Sequence, residues 1–477
     1  MGGGFVKRLI ACILFIVCIF SFFTMSSANS GPVFWRGYPA SEIMAIEGNS
    51  PITVKGENLV FDFSEEIDSS HTISGKVTAT YEMFNPTNEP QSVQMAFPFV
   101  GTLDKFSPND IVVTADDAVL TYDIYVGDVV DNHGDHRQEE KEVSFEFSNI
   151  VNNITNKFYT AKHFTGNEKG KLYIIDVNPT TEQRINFSVD FDFDYEKTKI
   201  LTNRFNRYER NDKKTRIAAW CYKPETLEIF VLGEDIDLNI NAYTDGELKN
   251  KTDLFTYQIS IEEKDVRTYL MNYIKNHTKL GKEGMISETQ LYNLYAKSLD
   301  NQFSQSLGYS SGDDIMTREY LERIFTLVYT VEFPPNMGKE VSICYIASGT
   351  MDKSKTAEPL YTFDYILNPA KSWNDFKNLN IEIIPGKEAP YVIESNTELE
   401  KSESGVYTAA LANLPEEDLS FTLYANEEIT LIDRVEGGMQ NTFGPFTPIV
   451  LGAISILIIM MVLLKIKNYR HKKTANN

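Results

Sequence analysis

From residue 51 to about residue 261 the sequence keeps returning to one pattern, an apolar side chain at every second position. Val77, Ala79, Tyr81 and Met83 alternate with Thr78, Thr80 and Glu82. After a turn at Asn85-Pro86-Thr87-Asn88-Glu89-Pro90 the alternation resumes at Val93, Met95, Phe97 and Phe99. A period of two puts these side chains on one face of an extended strand, and a polar turn between two such runs predicts a hairpin with an apolar and a wet face. Further runs fall at 112 to 125, 172 to 177, 227 to 240 and 255 to 261. Many short strands separated by polar turns predict an antiparallel sandwich rather than a parallel sheet.

The period then changes. Val266, Tyr269, Leu270, Tyr273 and Ile274 follow helical spacing, and Leu291, Leu294, Tyr295, Ser298 and Leu299 repeat it behind a capping box from Ser287 to Gln290. A third stripe follows at Leu321, Ile324, Phe325 and Val328. Strand patterning returns at Val341 and continues through Tyr361, Phe363 and Tyr365, then Leu379, Ile381 and Ile383, then Tyr407, Ala409 and Leu411, and then Leu419, Phe421 and Leu423. The expected fold is mainly β: two antiparallel β-sandwich domains, over 29–261 and 330–435, with a small helical insert over 262–329.

The ends read differently. Lys7 and Arg8 precede an apolar run over 9–20 that continues to Phe23, with small residues at Ser26, Ser27 and Ala28, which predicts a signal peptide over 1–28. Leu9-Ile10-Ala11-Cys12 opens that run where a lipoprotein box would close it, so lipidation at Cys12 is not expected. Over 446–464 nearly every residue is apolar and none is charged, and Lys465, Lys467, Arg470, Lys472 and Lys473 follow. About 20 apolar residues match a bilayer core and a cationic flank marks the cytoplasmic side, so one C-terminal transmembrane helix is expected, with a linker at 436–445 and a tail at 465–477.

A length of 477 residues accommodates two or three domains. The formal charge of −22, less seven unopposed positive charges in the two ends, leaves −29 on the segment between them. Such a surface repels nucleic acid, which is excluded as a partner. Only Cys221 and Cys344 lie outside the leader; an even pair in an exported chain permits one disulfide, and two separate buried thiols are the alternative.

TYEMFNPTNEPQSVQMAFPF and YTFDYILNPAKSWNDFKNLNIEI resemble segments of uncharacterised membrane-anchored exported proteins of Gram-positive bacteria with β-rich ectodomains. The resemblance covers about a tenth of the chain. It implies an Ig-like architecture and carries over no catalytic residues.

Candidate chemistry is sparse. In INFSVDFDFDYE, Asp190, Asp192 and Asp194 share one strand face and lie too far apart for one cation, with neither the glycine nor the glutamate of an EF-hand at the required places, so the row is expected to be a wet face. Gly308-Tyr309-Ser310-Ser311-Gly312 fits G-x-S-x-G, but a predicted helix precedes it and the only later histidine is His471, so a loop is expected. His133, Asp135 and His136 sit in a hydrophilic loop that could supply part of a zinc shell or simply be solvated. Arg204, Phe205, Arg207, Tyr208, Arg210, Lys213, Lys214 and Arg216 form a basic stretch interleaved with rings, the best candidate for binding an anionic wall polymer. The functional expectation is a non-enzymatic surface protein, anchored in the cell membrane with its tail cytoplasmic, that binds a ligand or assembles with an envelope protein. No cofactor is expected. An envelope hydrolase with carboxylates assembled by the fold, and a membrane sensor or transport accessory, are the alternatives.

Overall fold

In the computed structural model the two runs read as a hairpin do form strands, Ser74–Phe84 and Gln91–Gly101, but they do not pair. Ser74–Phe84 lies between Thr53–Asp62 and Gly338–Ser348, whereas Gln91–Gly101 pairs with Arg323–Phe333. The turn therefore carries the chain between layers, and Val77, Ala79, Tyr81 and Met83 meet Val93, Met95 and Phe97 across a shared core. Side-chain alternation is identical in a hairpin and in such an arch; only the destination of the backbone hydrogen bonds differs. Arg323–Phe333 and Gly338–Ser348 make a second arch beside the first. The structure describes residues 33–475 apart from 48–49, 68, 70, 104–109, 131–146, 278–285 and 317–319, so the expected leader and the loop of His133, Asp135 and His136 lie outside the described residues.

The protein is mainly β, and its described residues form five sheets whose strands pair mostly antiparallel. One layer of the outer sandwich is an eight-stranded sheet, in which Asp375–Ile384 joins Thr53–Asp62 in parallel. The opposing layer is two smaller sheets, one around Leu360–Ile366 and Leu419–Tyr424, the other around Gln91–Gly101 and Arg323–Phe333. Residues 40–45 splice them: Ala40–Ser41 pairs with Tyr365 and Ile366 in the first, and Met44–Ala45 with Met95 and Ala96 in the second. All six splice residues are buried.

Strands expected in two successive domains thus share sheets, and the expected boundaries at 261 and 330 do not follow the hydrogen bonding. The second sandwich is instead nested within the first. Lys169–Pro179, Thr198–Asn203, Glu225–Gly233 and Phe255–Asp265 build one of its sheets, and Ile185–Asp192, Arg207–Asn211, Lys214–Cys221 and Asn239–Tyr243 the other. Glu225–Gly233 divides its side chains by the period of two: Leu227, Ile229 and Val231 enter the core between these sheets, while Phe230 and Leu232 face helices. Those helices are Val266–His277 and Glu288–Gln305, and at the start of the second the Ser287 hydroxyl accepts from the Gln290 amide as the sequence suggests. The third expected helix is the strand Arg323–Phe333. Its run IFTLVYTVEF is rich in β-branched and aromatic residues and is buried on both faces over most of its length, which hides the alternation.

The expected linker at 436–445 is also corrected. Leu431–Phe443 is a helix whose start is held by a reciprocal cap: Thr430 N donates to Asp433 Oδ2 at 2.9 Å, and Asp433 N to Thr430 Oγ1 at 3.2 Å. Gly437 lets this helix touch the Thr356 backbone, where an added Cβ would collide. A helix Thr447–Ala475 follows. Among the described residues no helix is long and apolar enough to cross a membrane.

Candidate functional site

The basic stretch folds into a hairpin, Arg207–Asn211 with Lys214–Cys221, turned at Asp212 in the left-handed region. Its charges find partners within the chain. Arg204 Nη1 lies 3.2 Å from Glu225 Oε2, Arg207 Nε donates to Glu209 at 2.8 Å, and Lys213 Nζ lies 3.0 Å from Asp194. Arg216 Nε donates to Asp190 Oδ1 at 2.5 Å. Arg210 donates to the carbonyl oxygens of Asp212 and Leu307 and lies over the Phe193 ring at 4.4 Å. Phe205 is a core residue, and Tyr208 stacks on Tyr309 with centroids 3.8 Å apart rather than waiting for a sugar. Lys214 is exposed at the end of its strand. Most charges of the hairpin thus meet carboxylates and carbonyls of the same chain, while the Arg204, Lys213 and Lys214 side chains stay exposed to solvent.

The aspartate row behaves as expected at one end only. Asp190 and Asp194 take up Arg216 and Lys213, but Asn186 and Ser188, on the same face, are buried beside the small cluster of Ala218, Tyr243 and Leu248. The G-x-S-x-G stretch is not the expected loop: Tyr309–Ser311 is a short strand parallel to Thr198–Asn203, with the helix Gly312–Met316 after it. Ser310 is fully buried and donates to the Ser311 carbonyl at 3.2 Å, so it cannot present a nucleophile. Cys221 and Cys344 are free thiols, which corrects the possible disulfide. They belong to different sandwiches, and burial, aided by Glu225, pushes the Cys221 thiol up to about 11.

The residues that stand out chemically were not singled out from the sequence. Glu42 and Glu57 are both buried in the outer core, at 0% and 1% exposure. A bulge between Val54 and Gly56 sets Glu57 on the inward face with Leu59 and Phe61, opposite Tyr81. Glu42 comes from the splice, where its amide donates to the Ile366 carbonyl at 3.0 Å. The Tyr81 hydroxyl donates to Glu42 Oε2 at 2.6 Å. Burial raises the Glu42 carboxyl to about 7 although Glu57, Tyr81 and Tyr365 nearby pull the other way, and burial together with the charge of Glu42 holds Glu57 well above the carboxylate range. Among the described residues, Glu42 Oε1, both Glu57 oxygens and the hydroxyls of Tyr329, Tyr345 and Tyr365 make no hydrogen bond of ordinary geometry. A charge on an apolar stripe, Glu57-x-Leu59-x-Phe61, was the signal available in the sequence.

Tyr345 connects this cluster to the surface. Its ring helps to line a pocket of about 260 Å³ with Trp35, Tyr38, Phe99, Asp110 and Glu322, where residues 35–40 cross the ends of Gln91–Gly101 and Gly338–Ser348. The Tyr38 hydroxyl donates to Glu322 Oε2 at 2.5 Å, which fixes that wall. Aromatic faces beside carboxylates attract organic cations through the ring quadrupole and the negative charge together. Among the described residues no three His, Cys, Asp or Glu side chains gather as a metal cage.

No family model matches the sequence, and no curated protein matches it. Among solved structures, a candidate nutrient binding protein from Legionella pneumophila aligns at 10% identity with a TM-score of 0.34, over 82% of this chain and 72% of that chain. Likeness at that level carries no argument about fold or function.

Proposed function

We propose that the chain is a membrane-tethered, non-enzymatic binding protein that presents its nested sandwiches outside the cell and takes a small organic cation in the pocket between Trp35 and Tyr345. The observation that carries the reading is the wall chemistry of that pocket: Trp35, Tyr38, Phe99 and Tyr345 rings with Asp110 and Glu322 at the edge. Its volume suits a compact ammonium group rather than a long chain. The proposed tether rests on the sequence rather than on the length of the helix Thr447–Ala475: the uncharged, nearly all apolar run 446–464 is about as long as a hydrocarbon core is thick, and the rest of that helix is cationic. Ile454, Leu457, Ile458, Ile459, Met461 and Leu463 are exposed along it, and apolar surface of that extent is stable only when lipid or protein covers it. Lys465, Lys467, Arg470, Lys472 and Lys473 support a cytoplasmic tail.

Tetramethylammonium, with tert-butanol as its uncharged counterpart, tests the pocket by fluorescence of the purified full chain. Saturable quenching by the cation alone, lost in Trp35→Phe, is the expected result; equal responses to both probes would refute the cation reading. Protease added to intact cells tests the tether, and should remove the sandwiches while sparing the tail.

A further inference from the structure

We propose that Glu42 and Glu57, with the hydroxyls of Tyr329, Tyr345 and Tyr365, form a structural site for one divalent cation of calcium's coordination habit in the outer sandwich core. Three observations carry it. The first is charge. Two carboxyl groups lie in a fully dry interior, and the groups acting on them are only each other and tyrosines, with no Lys, Arg or His among them. Two buried carboxylates without a counter-charge are strongly disfavoured, and one divalent ion cancels both.

The second is the set of oxygen atoms without hydrogen-bond partners. Among the described residues, Glu42 Oε1, Glu57 Oε1 and Oε2, and the hydroxyl oxygens of Tyr329, Tyr345 and Tyr365 make no hydrogen bond of ordinary geometry, on residues at least 95% buried, although Glu57 and Tyr365 approach Glu42, and Tyr81 approaches Glu57, closely enough to act on them as polar neighbours. Buried polar atoms almost always have partners, so six such oxygens in one cluster point to something that accepts lone pairs from all of them. Calcium takes about six to eight hard oxygen ligands in flexible geometry. Magnesium keeps several waters and demands a near-ideal octahedron, which a dry enclosure does not offer. An all-oxygen set also disfavours zinc and copper, which prefer nitrogen and sulfur.

The third is placement. The six side chains arrive from separate elements: the splice at 40–45, the strands Thr53–Asp62, Ser74–Phe84 and Gly338–Ser348 of the eight-stranded sheet, and Arg323–Phe333 and Leu360–Ile366 of the two smaller sheets, with Tyr81 holding Glu42 in position. A cation there would tie all three sheets of the outer sandwich at the point where the two smaller ones are joined.

The test uses the full chain in detergent, stripped with a chelator and then titrated with calcium, magnesium or potassium from micromolar to millimolar concentration, with bound metal and Tm both measured. The expected result is one calcium per chain, not displaced by equal magnesium, and a Tm rise of about 5 °C or more at saturation. Glu57→Gln and Glu42→Gln should each lose both the ion and the rise, while keeping or exceeding the stripped wild-type Tm, because an amide has no charge to bury. Tyr365→Phe removes one ligand with little change of shape and should weaken calcium binding about tenfold, which keeps the proposal testable if the glutamine variants do not fold. Absence of bound calcium in the wild type would overturn the proposal and leave the pair holding protons only. Undiminished binding in both glutamine variants would overturn it equally, by placing the ion elsewhere.

Discussion

The side-chain amide of Asn85 donates to the main-chain carbonyl of Phe333 at 3.2 Å, across 248 residues of sequence. The same amide reaches Glu89 O at 2.9 Å and Pro334 O at 3.1 Å, so one buried side chain stitches the tips of both arches. Asn85→Ala would strand the buried Phe333 carbonyl, while the carbonyls of the exposed Glu89 and Pro334 can turn to water, at a cost of about 1 to 2 kcal/mol. Urea unfolding should show that loss without a change of slope, and Asn85→Asp should be no better, since it supplies no donor.

Stability should pass through a maximum in mildly acidic conditions when calcium is withheld. Glu42 is raised to about 7 by burial, with Glu57, Tyr81, Tyr329, Tyr345 and Tyr365 as the titratable groups acting with it. The folded state therefore holds a proton that the unfolded state has released, so this stabilisation is complete below the ordinary value of 4.5 and is lost as pH rises through about 7. Asp300 works in the opposite sense: burial raises it, but the amides of Lys162 and His163, the His163 ring and the Tyr159 hydroxyl together hold it below its usual range. Its contribution disappears as pH falls through that depressed value. Chemical unfolding measured from acid to alkaline pH should show both flanks, and Glu42→Gln should diminish only the alkaline one, the rest of which belongs to Glu57, still raised by its burial.

Replacing Arg204, Arg207 and Arg210 together by alanine should leave retention on anionic polysaccharide unchanged at low salt. The three side chains are already committed to Glu225, to Glu209 and to backbone carbonyls. Because these contacts are exposed, the triple variant should lose about 1 kcal/mol of stability or less. A sharp drop in retention would restore the hairpin as a binding surface.

Thiol labelling should distinguish the two cysteines. Cys221 is buried with its thiol pushed up to about 11 and should react only when the inserted sandwich opens, while the half-buried Cys344 should react first. Identical mobility with and without reductant is expected, since neither forms a bridge.

The sequence made strands and helices legible wherever one face was wet. Val77 to Met83 and Val93 to Phe99 are strands, though not the expected hairpin, and Val266 to Ile274 is a helix, as their uninterrupted periods indicate. Residues 324–333 misled because a strand buried on both faces offers no polar contrast, and Ile324, Phe325 and Val328 in it, with Leu321 just before it, happen to match helical spacing. Pairing was less legible than elements: nothing in Asn85 to Pro90 distinguishes an arch from a hairpin, and nothing in Asp375–Ile384 announces Thr53–Asp62 as its neighbour. The basic stretch was conspicuous in sequence because like charges were adjacent, and its partners were invisible because Glu225, Asp194 and Asp190 come from other strands. Glu42 and Glu57 had the reverse fate. Glu57 stands out only as a charge on an apolar stripe, and Glu42 is an ordinary acid in an acidic chain until the fold removes water from around it.

The parallel pairing of Thr53–Asp62 with Asp375–Ile384 sets an order on how the molecule can be made. A ribosome delivers the chain N-terminus first, so the strand at 53–62 must wait for more than 300 residues before one of its neighbours exists. The inserted sandwich has all its strands by residue 311 and can close while the outer sheet is still missing its far half. During that interval the first arch has no second arch beside it, and the apolar faces destined for the outer core stay uncovered. The nascent chain is therefore most exposed to aggregation late in synthesis, when it already contains one finished β-unit.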